Sequence, residues 1–73
     1  MKASVIRRGT TVKTASKLRQ FWAQNVATEF VQARKAGSTG KVVEKIIGQP
    51  NLWLVRHDNN DLAVYYTQEL EAA

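Results

Sequence analysis

His57 is the single histidine of a chain that has no cysteine. As a general base it needs a partner that orients its ring. Asp58 is adjacent, but neighbours on a strand point to opposite faces, so His57 reads as a strand-end residue capping a core. One histidine and no cysteine leave no basis for a zinc site. Asp58 and Asp61 enclose Asn59-Asn60. These side chains hold a cation weakly at best, because the glutamate and ligand count of a calcium loop are missing. Turn chemistry accounts for all four. Gly37-Ser38-Thr39-Gly40-Lys41 has the residue types of a phosphate loop. It lacks the leading glycine at the right spacing, and a strand follows it where a helix N-terminus is needed. No paired acids share a cleft. The expectation is a non-enzyme with no metal, no cofactor and no small-molecule substrate.

Charge carries more information. Eleven Lys+Arg stand against six Asp+Glu, a net charge of +5. Residues 1–41 hold nine of the basic residues and one acid, Glu29, so that half is +8; residues 42–73 are −3. Such asymmetry makes a local field stronger than the net charge suggests and favours an anionic partner. The cations expected to meet phosphates are Arg7, Arg8, Lys13, Lys17, Arg34, Lys35 and Lys41. Oligonucleotide-binding surfaces pair such cations with exposed aromatics that stack bases. Tyr65 is the expected stacking residue, beside Leu54 and Arg56. Phe21, Trp22, Phe30, Trp53 and Tyr66 are assigned to the core.

The chain has 73 residues, 44% of them hydrophobic and one of them proline. That excludes collagen-like, low-complexity and strongly disordered chains. It reads as a single domain spanning 1–73. A chain this short buries only about 60% of its unfolded surface, so self-association is one way to complete its core. The longest apolar run, Leu62 to Tyr66, is too short to cross a membrane, and no membrane partner is expected. Residues 1–28 contain no acid and share the composition of a transit peptide. Strand-like Val5-Ile6 and Thr11-Val12 argue against that, and no secretory apolar region is seen. A cytoplasmic, most simply bacterial, location is expected.

Positioning these residues requires a mainly β domain with one helix. Val5 to Val12 suggests a first strand, with a turn at Arg8-Gly9-Thr10. Leu18, Trp22, Val26 and Phe30 repeat every four residues, and Phe21 follows Leu18 by three. That spacing predicts a helix over about 16–35, capped by Thr14 or Ser16 and stopped at Gly37. Its β-branched Val26, Thr28 and Val31 mark a possible break near Asn25. From Gly40 the pattern is a β-meander: Lys41–Ile47, a turn at Gly48-Gln49-Pro50-Asn51, Leu52–His57, a turn at Asp58 to Asp61, and Leu62–Tyr66. Thr67 to Leu70 reads as a short helical turn. A two-residue Asn59-Asn60 loop pairs His57 with Leu62, Val55 with Val64 and Trp53 with Tyr66. Trp53, Val55, Val64 and Tyr66 then share a buried face. The opposite face carries Leu54, Tyr65, Arg56 and Ala63, and requires cover by the helix, a second subunit or a ligand.

This layout resembles a small SH3-like barrel. The resemblance rests on Ile6 to Lys13 as an opening in which a glycine precedes a strand, and on Gly40 to Ile46 as a second strand started by glycine. Leu52 to Arg56 and Ala63 to Tyr66, followed by a helical turn and Leu70-Glu71, resemble the closing hairpin and last turn. The layout is also similar to that of the plasmid-type dihydrofolate reductases. That family places a Gln-Ile-Tyr segment at its pore, and Val64-Tyr65-Tyr66 stands here instead, so catalysis does not carry over. Two functions of different classes remain: a small barrel binding nucleic acid through its basic half, and a protein-interaction or oligomer-forming module.

Overall fold

The computed structural model describes residues 6–22, 25–49 and 51–73. Val5 and Pro50, assigned above to a strand and a turn, lie outside them. The elements are β1 (Thr11–Thr14), α1 (Thr28–Gln32), β2 (Thr39–Lys45), β3 (Leu52–His57), β4 (Leu62–Tyr66), a 3-10 turn (Thr67–Glu69) and β5 (Leu70–Ala72). They form one antiparallel sheet in the order β4-β3-β2-β1-β5. The meander and the short helical turn are as expected; β5, which returns to pair with β1, is an added strand. The sheet coils so far that every strand feeds one core: Val12, Val42, Val55, Ala63, Tyr65 and Leu70, joined by Ile6.

The hairpin register differs from expectation by one residue. The His57 N–H donates to the Asp61 carbonyl (2.9 Å) and the Asn60 N–H to the His57 carbonyl (2.8 Å). Asn60 has φ 72°. The loop is therefore Asp58-Asn59-Asn60, a turn ending in a left-handed residue, not a two-residue loop. Only Asn60 needs positive φ, and asparagine tolerates it. As a result Trp53 pairs with Tyr65, Val55 with Ala63 and Leu54 with Val64. A one-residue slip moves a strand's side chains to the opposite face. Tyr65, expected outside, is inside; Val64 and Tyr66 leave the face of Val55 and join Leu52 and Leu54.

The second face is covered, but not by a long helix. Phe21, Val26 and Phe30 pack on Leu52, Leu54 and Val64, while Leu18 turns to the barrel core. Residues 16–22 are irregular, Asn25 has φ 64°, and the helix is confined to Thr28–Gln32. Trp22, expected in the buried stripe, is 75% exposed. Thr14 is a strand residue rather than a helix cap: its hydroxyl donates to the Lys35 carbonyl (2.7 Å) and accepts from the Ser38 N–H (2.8 Å). The irregular stretch loses little by forgoing helix, because the side chains of Glu69, Arg34 and Tyr66 satisfy part of its backbone. The Arg19 N–H donates to Glu69 Oε2 (2.7 Å) and the Arg19 carbonyl accepts from Arg34 (3.0 Å). The Tyr66 hydroxyl accepts from the Trp22 N–H (2.6 Å) and donates to its carbonyl (2.8 Å).

Candidate nucleic-acid interface

Strand alternation sorts charge from core. On β1, Val12 and Thr14 are buried while Thr11 and Lys13 are exposed; on β2, Gly40 and Val42 are buried while Thr39 and Lys41 are exposed. On β3, Val55 and His57 are buried and Arg56 is exposed. Register then aligns the exposed set. Thr11 pairs with Lys41, and Lys41 with Arg56, in one row across three strands; Lys13 pairs with Thr39 in the next. With strands about 4.8 Å apart, the first row spans about 10 Å.

The preceding turn adds two arginines. The Thr10 N–H donates to the Arg7 carbonyl (3.0 Å), and Gly9 takes φ 88°, which favours glycine. The turn docks on β2, where the Gly9 N–H donates to the Val42 carbonyl (2.8 Å) and the Val42 N–H to the Thr10 carbonyl (2.9 Å). Arg7 and Arg8 are exposed there, beside the residue that follows Lys41. A shallow cleft of about 470 Å³ opens next to the same row, lined by Thr11, Thr39, Lys41, Arg56, His57 and Asp58 among others.

Ion pairing separates free cations from committed ones. Among the described residues, the pairs within 4.0 Å are Arg34–Glu69 and Lys35–Asp61. Arg7, Arg8, Lys13, Lys41 and Arg56 therefore have no such partner. Lys17 is exposed on the stretch leaving β1, off the strands of this face. Lys35 is exposed in the turn after α1, with its ammonium 3.7 Å from Asp61.

Arg34 and Tyr65 are corrections to the expected site. The Arg34 side chain is 6% exposed, with Nη2 2.6 Å from Glu69 Oε2 and Nη1 donating to the Val64 carbonyl (2.8 Å). Its guanidinium lies 5.1 Å from the Phe21 ring centre and 5.3 Å from that of Tyr65. It is a structural tie, closed to phosphate. Tyr65 is fully buried and offers no ring face to a base. Its hydroxyl accepts from the Lys35 N–H (2.8 Å) and contacts His57 Nε2 (2.6 Å). Burial pushes the Tyr65 pKa up, opposed by the Lys35 hydrogen bond and Arg34, so this hydroxyl keeps its proton. His57 Nδ1 lies 2.9 Å from the Thr39 carbonyl. A carbonyl only accepts, so Nδ1 carries a hydrogen and donates to it. Both nitrogens are engaged, as in a core-capping histidine.

Two residues escaped the sequence reading. Arg56 was counted with the acidic half, although the alternation of Val55, Arg56 and His57 already places it opposite the core. Glu69, one of the acids of the −3 half, is buried and accepts from Arg34, the Arg19 N–H and the Tyr66 N–H. The helical turn at Thr67 was the available signal, since an acid three residues after Tyr66 can reach back to its N–H. No group of three His, Cys, Asp or Glu among the described residues is placed to hold a metal ion, and none of their helices is long and apolar enough to cross a membrane. No protein-family model, curated protein or solved structure matches the chain.

Proposed function

We propose that this protein is a small non-enzymatic nucleic-acid-binding module, working in a cytoplasm, that contacts phosphates through the outer face of β1, β2 and β3. The observation that carries the reading is the gathering of Lys13, Lys41 and Arg56, from three adjacent strands, beside Arg7 and Arg8, with no carboxylate of the described residues within 4.0 Å of any of them. Free cations on a protein surface draw a polyanion by releasing its counterions. Exposed Thr11 supplies a hydroxyl suited to phosphate oxygens, while that of Thr39 donates to Asp58 Oδ2 (3.5 Å). Lys17 and Lys35 flank the face and add to its field.

Binding of random-sequence DNA and RNA to the folded protein at low salt tests this. Reversing Lys41 and Arg56 to Glu together should abolish binding, while Lys35→Glu should weaken it only severalfold. Equal binding by the native protein and the double reversal would refute the reading. A second reading, a protein-interaction or self-associating module, draws on Trp22 (75% exposed) and Ile47 (97% exposed). A mass in solution above 8.2 kDa, with no affinity for nucleic acid, would favour it.

A further inference from the structure

We infer that the basic face selects duplex nucleic acid over single strands, reading backbone charge and not bases. This rests on the nucleic-acid reading above and narrows it. Single-strand binders combine a cationic track with aromatic side chains on which successive bases stack. Here the outward residues of the face are Thr11, Lys13, Thr39, Lys41 and Arg56, with no aromatic among them.

The described aromatics lie elsewhere. Tyr65 is inside the barrel. Tyr66, Phe21 and Phe30 pack together over Leu52, Leu54 and Val64. Trp53 is half-buried, its indole N–H donating to the Thr67 hydroxyl (2.9 Å) and its ring centre 5.9 Å from the Lys45 ammonium, at the far end of β2 from Lys41. Trp22 is exposed, but its backbone is clamped to the Tyr66 hydroxyl. Tyr66 pairs with Leu52, four residues along β3 from Arg56, which is about 13 Å at strand rise. A base stacked on Trp22 would therefore lie away from the cations.

Without stacking, only charge density and order distinguish the two ligands. A duplex carries one charge per about 1.7 Å of axis, and each contact weighs about 0.9 in its salt slope, against about 0.7 on a single strand. A single strand also loses conformational freedom when fixed along the face, and nothing on the face repays that loss. The acids Glu71, opposite Lys13, and Asp58, in the cleft, bound the footprint at two sides. That favours a short run of phosphates from one rigid backbone.

Fluorescence anisotropy with a short random-sequence duplex and its isolated strands, at matched phosphate concentration, tests this. The proteins are the native chain, Trp22→Ala and the neutralised pair Lys41→Gln/Arg56→Gln, each verified as folded by circular dichroism. The duplex should bind more tightly at every salt concentration. For three to five contacts, its affinity should fall about 40- to 500-fold between about 50 and 200 mM salt. Trp22→Ala should bind as the native chain does, and the neutralised pair should lower the log-log slope by about 2. Single strands bound as tightly as duplex, or a loss of affinity in Trp22→Ala, would overturn the selectivity and leave the nucleic-acid reading standing. No binding of either ligand would overturn both.

Discussion

Glu69 does more for this fold than any other acid in the chain. One of its oxygens accepts from the Tyr66 N–H (3.0 Å), and the other from the Arg19 N–H (2.7 Å) and Arg34 Nη2 (2.6 Å). The carboxylate thus joins the 3-10 turn, the irregular cover and the end of α1. Only an acceptor with two bare oxygens serves all three donors. Glu69→Gln turns an amide NH₂ toward one group of them and leaves Arg34 charged in a site where it is 6% exposed. Breaking a buried pair in this way costs about 3–5 kcal/mol, comparable to the whole stability of a domain this size. Chemical denaturation should show most of the stability gone, and an unchanged midpoint would contradict the account. Composition alone could not reveal this, because glutamate is normally solvated. Trp22 failed in the other direction: its spacing fits a buried helical stripe, but its ring meets solvent.

At the scale of elements, strands 52–57 and 62–66 were legible because β-branched and aromatic residues run between clear turn residues. Their register was not. Asn59 and Asn60 both suit a two-residue loop, and whether the hairpin uses one left-handed residue or two is decided by which face must be buried. The predicted helix over 16–35 failed for a related reason. Its spacing is helical, but Leu18 enters one core and Phe21 the other, which no single helical face allows. Gly40 was legible as a strand start, though not why it must be glycine. A Cβ there would sit 2.7 Å from Val55 Cγ1 and 2.8 Å from the Arg56 carbonyl. Gly40→Ala should push β2 from β3 and cost about 1–3 kcal/mol by overpacking. A thermal melt at the native temperature would show that the two strands are not this close.

For the whole molecule, the contrast between +8 and −3 halves suggests an anionic partner, and Arg7, Arg8, Lys13, Lys17, Lys35 and Lys41 of the basic half are all exposed. Folding sets charge by strand parity, not by position along the chain. It withdraws Arg34 into an ion pair and Tyr65 into the core, and it adds Arg56 to the row of Thr11 and Lys41. The direct measurement is a titration of the ¹⁵N-labelled protein with duplex DNA, followed by amide shifts at low salt. The account predicts changes confined to Arg7, Arg8, Thr11, Lys13, Thr39, Lys41 and Arg56, reversed by added salt. Changes centred on Trp22, Ile47 or the 28–32 helix, or none at all, would contradict it.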